Sequence, residues 1–160
     1  MTQWMNPEGD RELVMFGDYE CPHTRDAWRQ VETLLERVGD RLRVGWRHYP
    51  APRVHPHAMH AAEAAEAAAA QGDFWTLHRR LFAHQEEGLD DERLLAHARA
   101  AGLDADRVAA ELRDGVHVEA VRADKQAGRE LGLRRTPTFV AGGELWDGFY
   151  DVETLSELIA

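Results

Sequence analysis

Cys21 is the only cysteine of the chain, and it lies in the segment GDYECPHTRDAW over residues 17–28. A cysteine that opens a helix faces the free backbone N–H groups of the first turn, which carry partial positive charge and favour a thiolate. Pro22 suits the first helical position, and His23 can add positive charge or donate a hydrogen bond. The segment therefore indicates a nucleophilic thiol at the start of a helix.

Thr24 follows Cys21 by three residues, at the position where a redox dithiol has its second cysteine. Its hydroxyl either orients the sulfur or belongs to an ordinary residue near a helix start. Glu20 is either a proton acceptor for the sulfur or a solvated side chain. Cys21 itself is either reactive or an inert buried hydrophobe. A single cysteine cannot form a disulfide within its own chain, so a free thiol, a mixed disulfide and an oxidised thiol remain open.

A second group of chemically capable residues lies in the segment VHPHAMH, with His55, His57 and His60, followed by Glu63. His57 and His60 are three residues apart, so both can reach one metal ion from one side of a helix. Zinc sites need three or four ligands held together, and turn, cap or surface histidines are the simpler interpretation. We therefore predict no metal site here.

The elements that position Cys21 follow from the hydrophobic pattern. The short apolar run Leu13–Phe16 stops at Gly17, which predicts a buried strand directly before the cysteine. The predicted order continues with a helix, a second strand, a long helical block, a hairpin and a last helix. The bounds are helix 22–38, strand 42–48, helical segments 56–72, 74–82, 91–101, 104–113 and 117–131, a hairpin turning at Gly142–Gly143, and a helix capped by Asp151.

The composition limits the class of protein. With 160 residues, the chain suits one domain, 1–160, with a helical insertion at about 56–131. Nineteen basic and 29 acidic residues give a formal net charge of 19 − 29 = −10, which argues against nucleic acid as a partner. No apolar run approaches the roughly 20 residues that cross a bilayer, and the N-terminus lacks the pattern of a signal peptide. We therefore expect no membrane partner and a cytoplasmic location.

Four segments in this order resemble the DsbA-like branch of the thioredoxin superfamily over about 11–160: DYECPHT, HPHAMHAAEAAEAAAAQGDFW, LRRTPTFVAGG and DGFYDVETL. The resemblance implies an α/β fold, namely a thioredoxin-like four-stranded mixed sheet with flanking helices and an inserted helical subdomain. It also implies that Pro137 is cis and faces Cys21. The backbone of Thr136, with Pro137 and Pro22, would then bind an extended substrate by strand addition.

The resemblance implies a thiol–disulfide oxidoreductase whose catalytic residues are Cys21, His23 and Thr24. Family members usually carry Cys-X-X-Cys, and Thr24 departs from that pattern, so we expect a monothiol enzyme. Its partner is a thiol or disulfide in a protein or small molecule. An external thiol such as glutathione would resolve the mixed disulfide as a co-substrate, and we expect no bound cofactor. The alternative is a redox-inactive thioredoxin-fold module that binds a peptide or protein.

Overall fold

The structure is a computed structural model that describes residues 1–160. The strands are β1 (Gln3–Met5), β2 (Arg11–Gly17), β3 (Leu42–His48), β4 (Thr138–Ala141) and β5 (Glu144–Asp147). The helices are α1 (Pro22–Val38), α2 (Ala58–Ala70), α3 (Phe74–Ala83), α4 (Asp91–Ala100), α5 (Ala105–Asp114), α6 (Val118–Glu130) and α7 (Val152–Leu158). Five of the helices, α2 to α6, therefore follow one another between β3 and β4.

The strands form one mixed sheet in the order β1-β3-β2-β4-β5. Strands β2 and β3 are parallel and joined by α1, while the other neighbours are antiparallel. The predicted thioredoxin-like α/β fold is confirmed, but the predicted number of four strands is wrong because β1 adds a fifth at the sheet edge. The hairpin of β4 and β5 turns at Gly142 and Gly143, which both have positive φ.

Strand β1 packs against β3 at Gly45, which leaves room for a large side chain. Trp4 pairs with Gly45 across the two strands, and a Cβ on Gly45 would lie 2.8 Å from an atom of the Trp4 ring. The indole ring of Trp4 thus covers Gly45. Arg43, which is also on β3, places its guanidinium carbon 4.9 Å from the centre of that ring. A three-residue strand is too short to show a hydrophobic period in the sequence. Its position is therefore determined by its pairing with β3.

The core lies between the sheet and the helices. Strand β2 contributes Leu13, Met15 and Phe16, and β3 contributes Val44 and Trp46, all at most 1 % exposed. The alanine-rich α2 is buried along most of its length and packs closely on its neighbours, as its small side chains allow. None of the helices combines the length and the apolar character that crossing a membrane demands. The core therefore fixes the end of β2, from which the chain runs directly into Cys21.

Candidate active site

Cys21 is the N-cap residue of α1, and Pro22 occupies the first turn as predicted. The extended backbone of Cys21 leaves β2 through the turn 18–20 and enters the helix, with φ −78° and ψ 117°. Only 5 % of its surface is exposed, so the surrounding protein covers most of the residue. The sulfur makes no capping hydrogen bond to the first-turn N–H groups of α1, although it lies at the positive end of the helix dipole.

The segment before β4 brings a backbone carbonyl to the thiol. The Thr136–Pro137 peptide bond is cis, and the Cys21 Sγ donates to the Thr136 carbonyl oxygen at 3.8 Å. The Thr138 hydroxyl donates to the Arg135 carbonyl at 2.7 Å, and the Gly148 N–H donates to the Pro137 carbonyl at 2.8 Å. The structure thus brings Cys21, Thr136 and Pro137 together from distant parts of the sequence.

Thr24 lies one helical turn after Cys21 and is fully buried. Its hydroxyl has no hydrogen-bond partner, and its methyl group packs against Gly17, where an added Cβ would lie 2.5 Å from it. Glycine at 17 therefore lets α1 approach the end of β2 closely. An N-cap side chain and the side chain three residues on face each other in a helix. The Thr24 hydroxyl therefore lies on the same side of α1 as Cys21, and it forms no hydrogen bond with the thiol or with any other group.

His23 and Glu20 flank the thiol but differ in surroundings. His23 is exposed on the first turn of α1, where it faces solvent. Glu20 is half-buried, and its carboxylate accepts a hydrogen bond from the backbone N–H of His57. Glu20 thus ties the segment before the cysteine to the loop that follows β3.

Asp18 is a buried carboxylate that organises this turn, and the sequence pattern did not single it out. It accepts hydrogen bonds from the backbone N–H of Glu20 at 2.8 Å, from that of Ala51 at 2.9 Å, and from His55 Nδ1 at 2.9 Å. The one hint in the sequence was its position three residues before the cysteine. Two of its three hydrogen-bond partners lie more than 30 residues away along the chain. Asp18 holds the active-site turn and the loop after β3 as one unit.

Gln85 holds the same turn from the helical side. It lies just after α3, and its side-chain amide donates to the carbonyl of Tyr19 at 2.7 Å and to that of Cys21 at 3.0 Å. Nearby, Arg25 of α1 pairs with Glu86 at 2.7 Å. One side chain from the helical insertion thus satisfies both carbonyls that flank Glu20.

Tyr19 lies in an aromatic cluster beneath the site. Its hydroxyl is 2.8 Å from Nδ1 of His78, which is fully buried, and the rings of Trp46 and Phe82 pack around it. Burial lowers the pKa of His78 well below its usual value and raises that of Tyr19. The pair is therefore neutral near pH 7, with the Tyr19 hydroxyl donating to the neutral imidazole.

The predicted histidine group is dispersed among other partners. His55 binds Asp18, and His60 Nδ1 lies 2.7 Å from Asp91. The three ligand-type side chains whose atoms lie within 4.8 Å of one another are His48, Glu66 and Asp124, in a different place. There His48 Nε2 contacts Glu66 at 2.8 Å, and Asp124 accepts from Arg47 at 3.0 Å and from the His48 backbone N–H at 3.0 Å.

Comparison with known proteins agrees with this geometry. The sequence model of a family described as DSBA-like thioredoxin domain matches residues 12–160. The crystal structure of a thioredoxin-like oxidoreductase from Silicibacter pomeroyi is 30 % identical, with a TM-score of 0.84 over 99 % of this chain and 90 % of that one. The thiol-disulfide exchange protein alpha-DsbA2 from Wolbachia pipientis shares the fold at 21 % identity, with a TM-score of 0.85 over 99 % and 85 % of the two chains.

Curated relatives add a different context. A protein named Na(+)/H(+) antiporter NhaA 1 from Mycobacterium sp. (strain KMS) is 38 % identical over 154 residues, which is 94 % of this chain and 25 % of the relative. The chain thus spans about a quarter of the length of the curated relatives that it matches. The family resemblance predicted from the sequence motifs is confirmed.

Proposed function

The chain belongs to the family of DSBA-like thioredoxin domains, and we propose that within this family it is a monothiol thiol–disulfide oxidoreductase with Cys21 as its nucleophile. The observation that carries the proposal is the position of the Cys21 sulfur at the N-cap of α1, 3.8 Å from the Thr136 carbonyl. A sulfur at that place combines a helix terminus that favours a thiolate with a backbone edge that can hold an extended substrate.

The reaction has two exchange steps. The Cys21 thiolate attacks one sulfur of a disulfide, a bond forms between the two sulfurs, and the other sulfur leaves as a thiolate. An external thiolate, such as that of glutathione, then attacks the substrate sulfur of the mixed disulfide, forms a new S–S bond with it and releases Cys21 as a thiolate. The chain has no second cysteine for this step. The oxidant is therefore the first disulfide, and the reductant is the external thiol.

Thr24, His23 and Pro22 have distinct places in this proposal. The buried Thr24 hydroxyl, which lacks a partner, donates a hydrogen bond to the sulfur once its proton has left. His23 faces solvent at the entrance, where its proton can pass to a leaving thiolate. Pro22 and Pro137 border the opening, and the Thr136 backbone pairs with the substrate. Because the cycle needs an abundant small thiol, we propose a reducing compartment such as the cytoplasm.

The test is the pH dependence of Cys21 alkylation by iodoacetamide in the native protein, with Cys21→Ser as the blank. We expect half-maximal reactivity at least one pH unit below the value of about 8.5 for an unperturbed cysteine. Treatment with glutathione disulfide should then add one glutathionyl group per chain, and reduced glutathione should remove it. A midpoint at or above 8.5, together with no glutathionyl adduct, would refute the proposal and favour the redox-inactive binding module.

A further inference from the structure

A cleft opens between the loop after β3 and helix α6, and the proposed function does not account for it. Its volume is about 600 Å³, within the range of about 300–1,000 Å³ found for small-molecule sites. Pro50, Pro52 and Met59 line one wall. The other wall is the face of α6 with the cationic side chains Arg122, Lys125 and Arg129.

This cleft concentrates positive charge in a chain whose net charge is −10. Arg122 is paired with Glu119 at 3.1 Å, whereas Arg129 forms no ion pair. Lys125 is half-buried and donates to the neutral Pro50 carbonyl at 2.6 Å. Desolvation and the neighbouring Arg129 lower the pKa of Lys125, while the buried Asp18 carboxylate opposes them through space. Lys125 and Arg129 thus lie on one helix face and neither forms an ion pair.

The same loop is bonded to the chain just before the thiol. The backbone N–H of Ala51 donates to Asp18, and that of His57 donates to Glu20. Asp18 is buried and accepts from the loop backbone and His55, and it acts on Lys125 through space without forming an ion pair with it. The loop that forms one wall of the cleft is therefore continuous with the turn that carries Cys21.

We infer that this cleft binds the carboxylates of an acidic peptide thiol or disulfide of the glutathione type, and so selects the co-substrate of Cys21. This inference rests on the proposed function. Lys125 and Arg129 are the specificity residues, since a carboxylate accepts strong charge-assisted hydrogen bonds from ammonium and guanidinium groups. An extended tripeptide spans about 10 Å. Two hydrogen bonds connect the cleft wall to the thiol segment: the Ala51 N–H donates to the Asp18 carboxylate at 2.9 Å, and the Cys21 N–H donates to the Asp18 carbonyl at 3.1 Å.

The chemistry of the exchange is unchanged by this binding. The Cys21 thiolate attacks glutathione disulfide, the S–S bond of the substrate breaks, and one glutathione thiolate leaves while the other remains bonded to Cys21. Cys21 is oxidised to the disulfide level, and the departing glutathione is reduced. The cleft contributes by holding the carboxylates of the part that stays, which raises its local concentration at the sulfur.

The experiment compares three small disulfides that differ in charge: anionic glutathione disulfide, neutral hydroxyethyl disulfide and cationic cystamine. Rates of mixed-disulfide formation are measured for the wild type and for Lys125→Gln/Arg129→Gln. The double variant should react at least tenfold more slowly with glutathione disulfide and within about twofold of wild type with the neutral disulfide. Arg99→Gln/Arg113→Gln removes the same charge on α4 and α5, outside the cleft, and should leave all three rates within about twofold.

Equal slowing with all three disulfides would overturn the inference, because the cleft would then act on the geometry of the thiol and not on charge. Arg129→Gln alone removes no hydrogen bond or ion pair within the chain, so it guards against a folding defect and should give part of the effect. A second readout, the binding of S-methylglutathione, does not depend on exchange. If no disulfide reacts but the cleft variant weakens this binding at least tenfold, the proposed function fails and the cleft stands. If wild-type protein does not bind S-methylglutathione, the inference fails.

Discussion

The buried hydroxyl of Thr24 allows stability and reactivity to be separated in one substitution. Thr24→Val replaces the hydroxyl by a methyl group of similar size and retains the methyl that packs on Gly17. Because the hydroxyl has no partner within the chain, its removal should leave the free energy of unfolding unchanged or raise it by about 1 kcal/mol. Most buried polar-to-apolar substitutions break a hydrogen bond, whereas Thr24→Val breaks none within the chain.

The same substitution should lower the reactivity of Cys21 near neutral pH. A hydrogen bond to a charged group contributes about 1.5–3 kcal/mol, and one pH unit corresponds to about 1.4 kcal/mol. If the hydroxyl donates to the thiolate, Thr24→Val should therefore raise the midpoint of Cys21 alkylation by about 1–2 pH units. Thr24→Ser retains the donor and should keep the midpoint while losing about 1 kcal/mol of stability through the missing methyl.

The assays are iodoacetamide alkylation across pH and chemical denaturation at pH 7. The reasoning is refuted if Thr24→Val and Thr24→Ser shift the alkylation midpoint equally, since the hydroxyl would then be irrelevant to the sulfur. It is also refuted if Thr24→Val destabilises the fold by more than about 2 kcal/mol, which would show that the hydroxyl has a partner.

Three further predictions concern the surroundings of the site. Burial depresses the pKa of His78, so the folded state resists protonation while the unfolded state binds a proton near pH 6.5. The free energy of unfolding should therefore fall below that pH by up to about 1.4 kcal/mol per pH unit. Denaturation of His78→Gln across pH should lack this contribution. Asp18→Asn should cost about 2–4 kcal/mol and slow Cys21 alkylation, because an amide cannot accept from both backbone donors and His55; unchanged denaturation and alkylation would contradict this. Gly128→Ala should cost about 1–3 kcal/mol, because a Cβ would lie 2.9 Å from the Tyr49 ring, and an unchanged denaturation midpoint would show that the ring moves freely.

The elements near the thiol could be predicted because their signals are local. Helix α1 begins at Pro22 and ends before Gly39, both of which the sequence marks directly. The caps Asp90, Asp104 and Asp151 accept from the backbone N–H three residues on, as short-range capping does. These features depend on residues within one helical turn of each other.

The remaining features depend on pairs that are far apart in sequence. Strand β1 is stabilised by Trp4, which packs over Gly45 of β3. A strand of three residues is too short to show a hydrophobic period in the sequence. The donors to Asp18 and the amide of Gln85 come from segments that only the fold brings to the turn. The cations Lys125 and Arg129 share one face of a predicted helix, but the opposite wall of the cleft comes from Pro50, which is 75 residues before Lys125 in the sequence.

The amide of Gln85 ties the turn after α3 to the thiol segment, and the strength of this tie can be expressed as a population. Releasing the Gln85 side chain, with α3 left in the core, would leave the Tyr19 carbonyl without its donor and the Cys21 carbonyl with only the Arg25 N–H. Two hydrogen bonds of ordinary net strength contribute about 2 kcal/mol together. That value corresponds to an open form at about 3 % of molecules at equilibrium. A large substrate that needs this side chain displaced would therefore react about thirtyfold more slowly than it would with the side chain permanently released, whereas a small disulfide that needs no displacement would not.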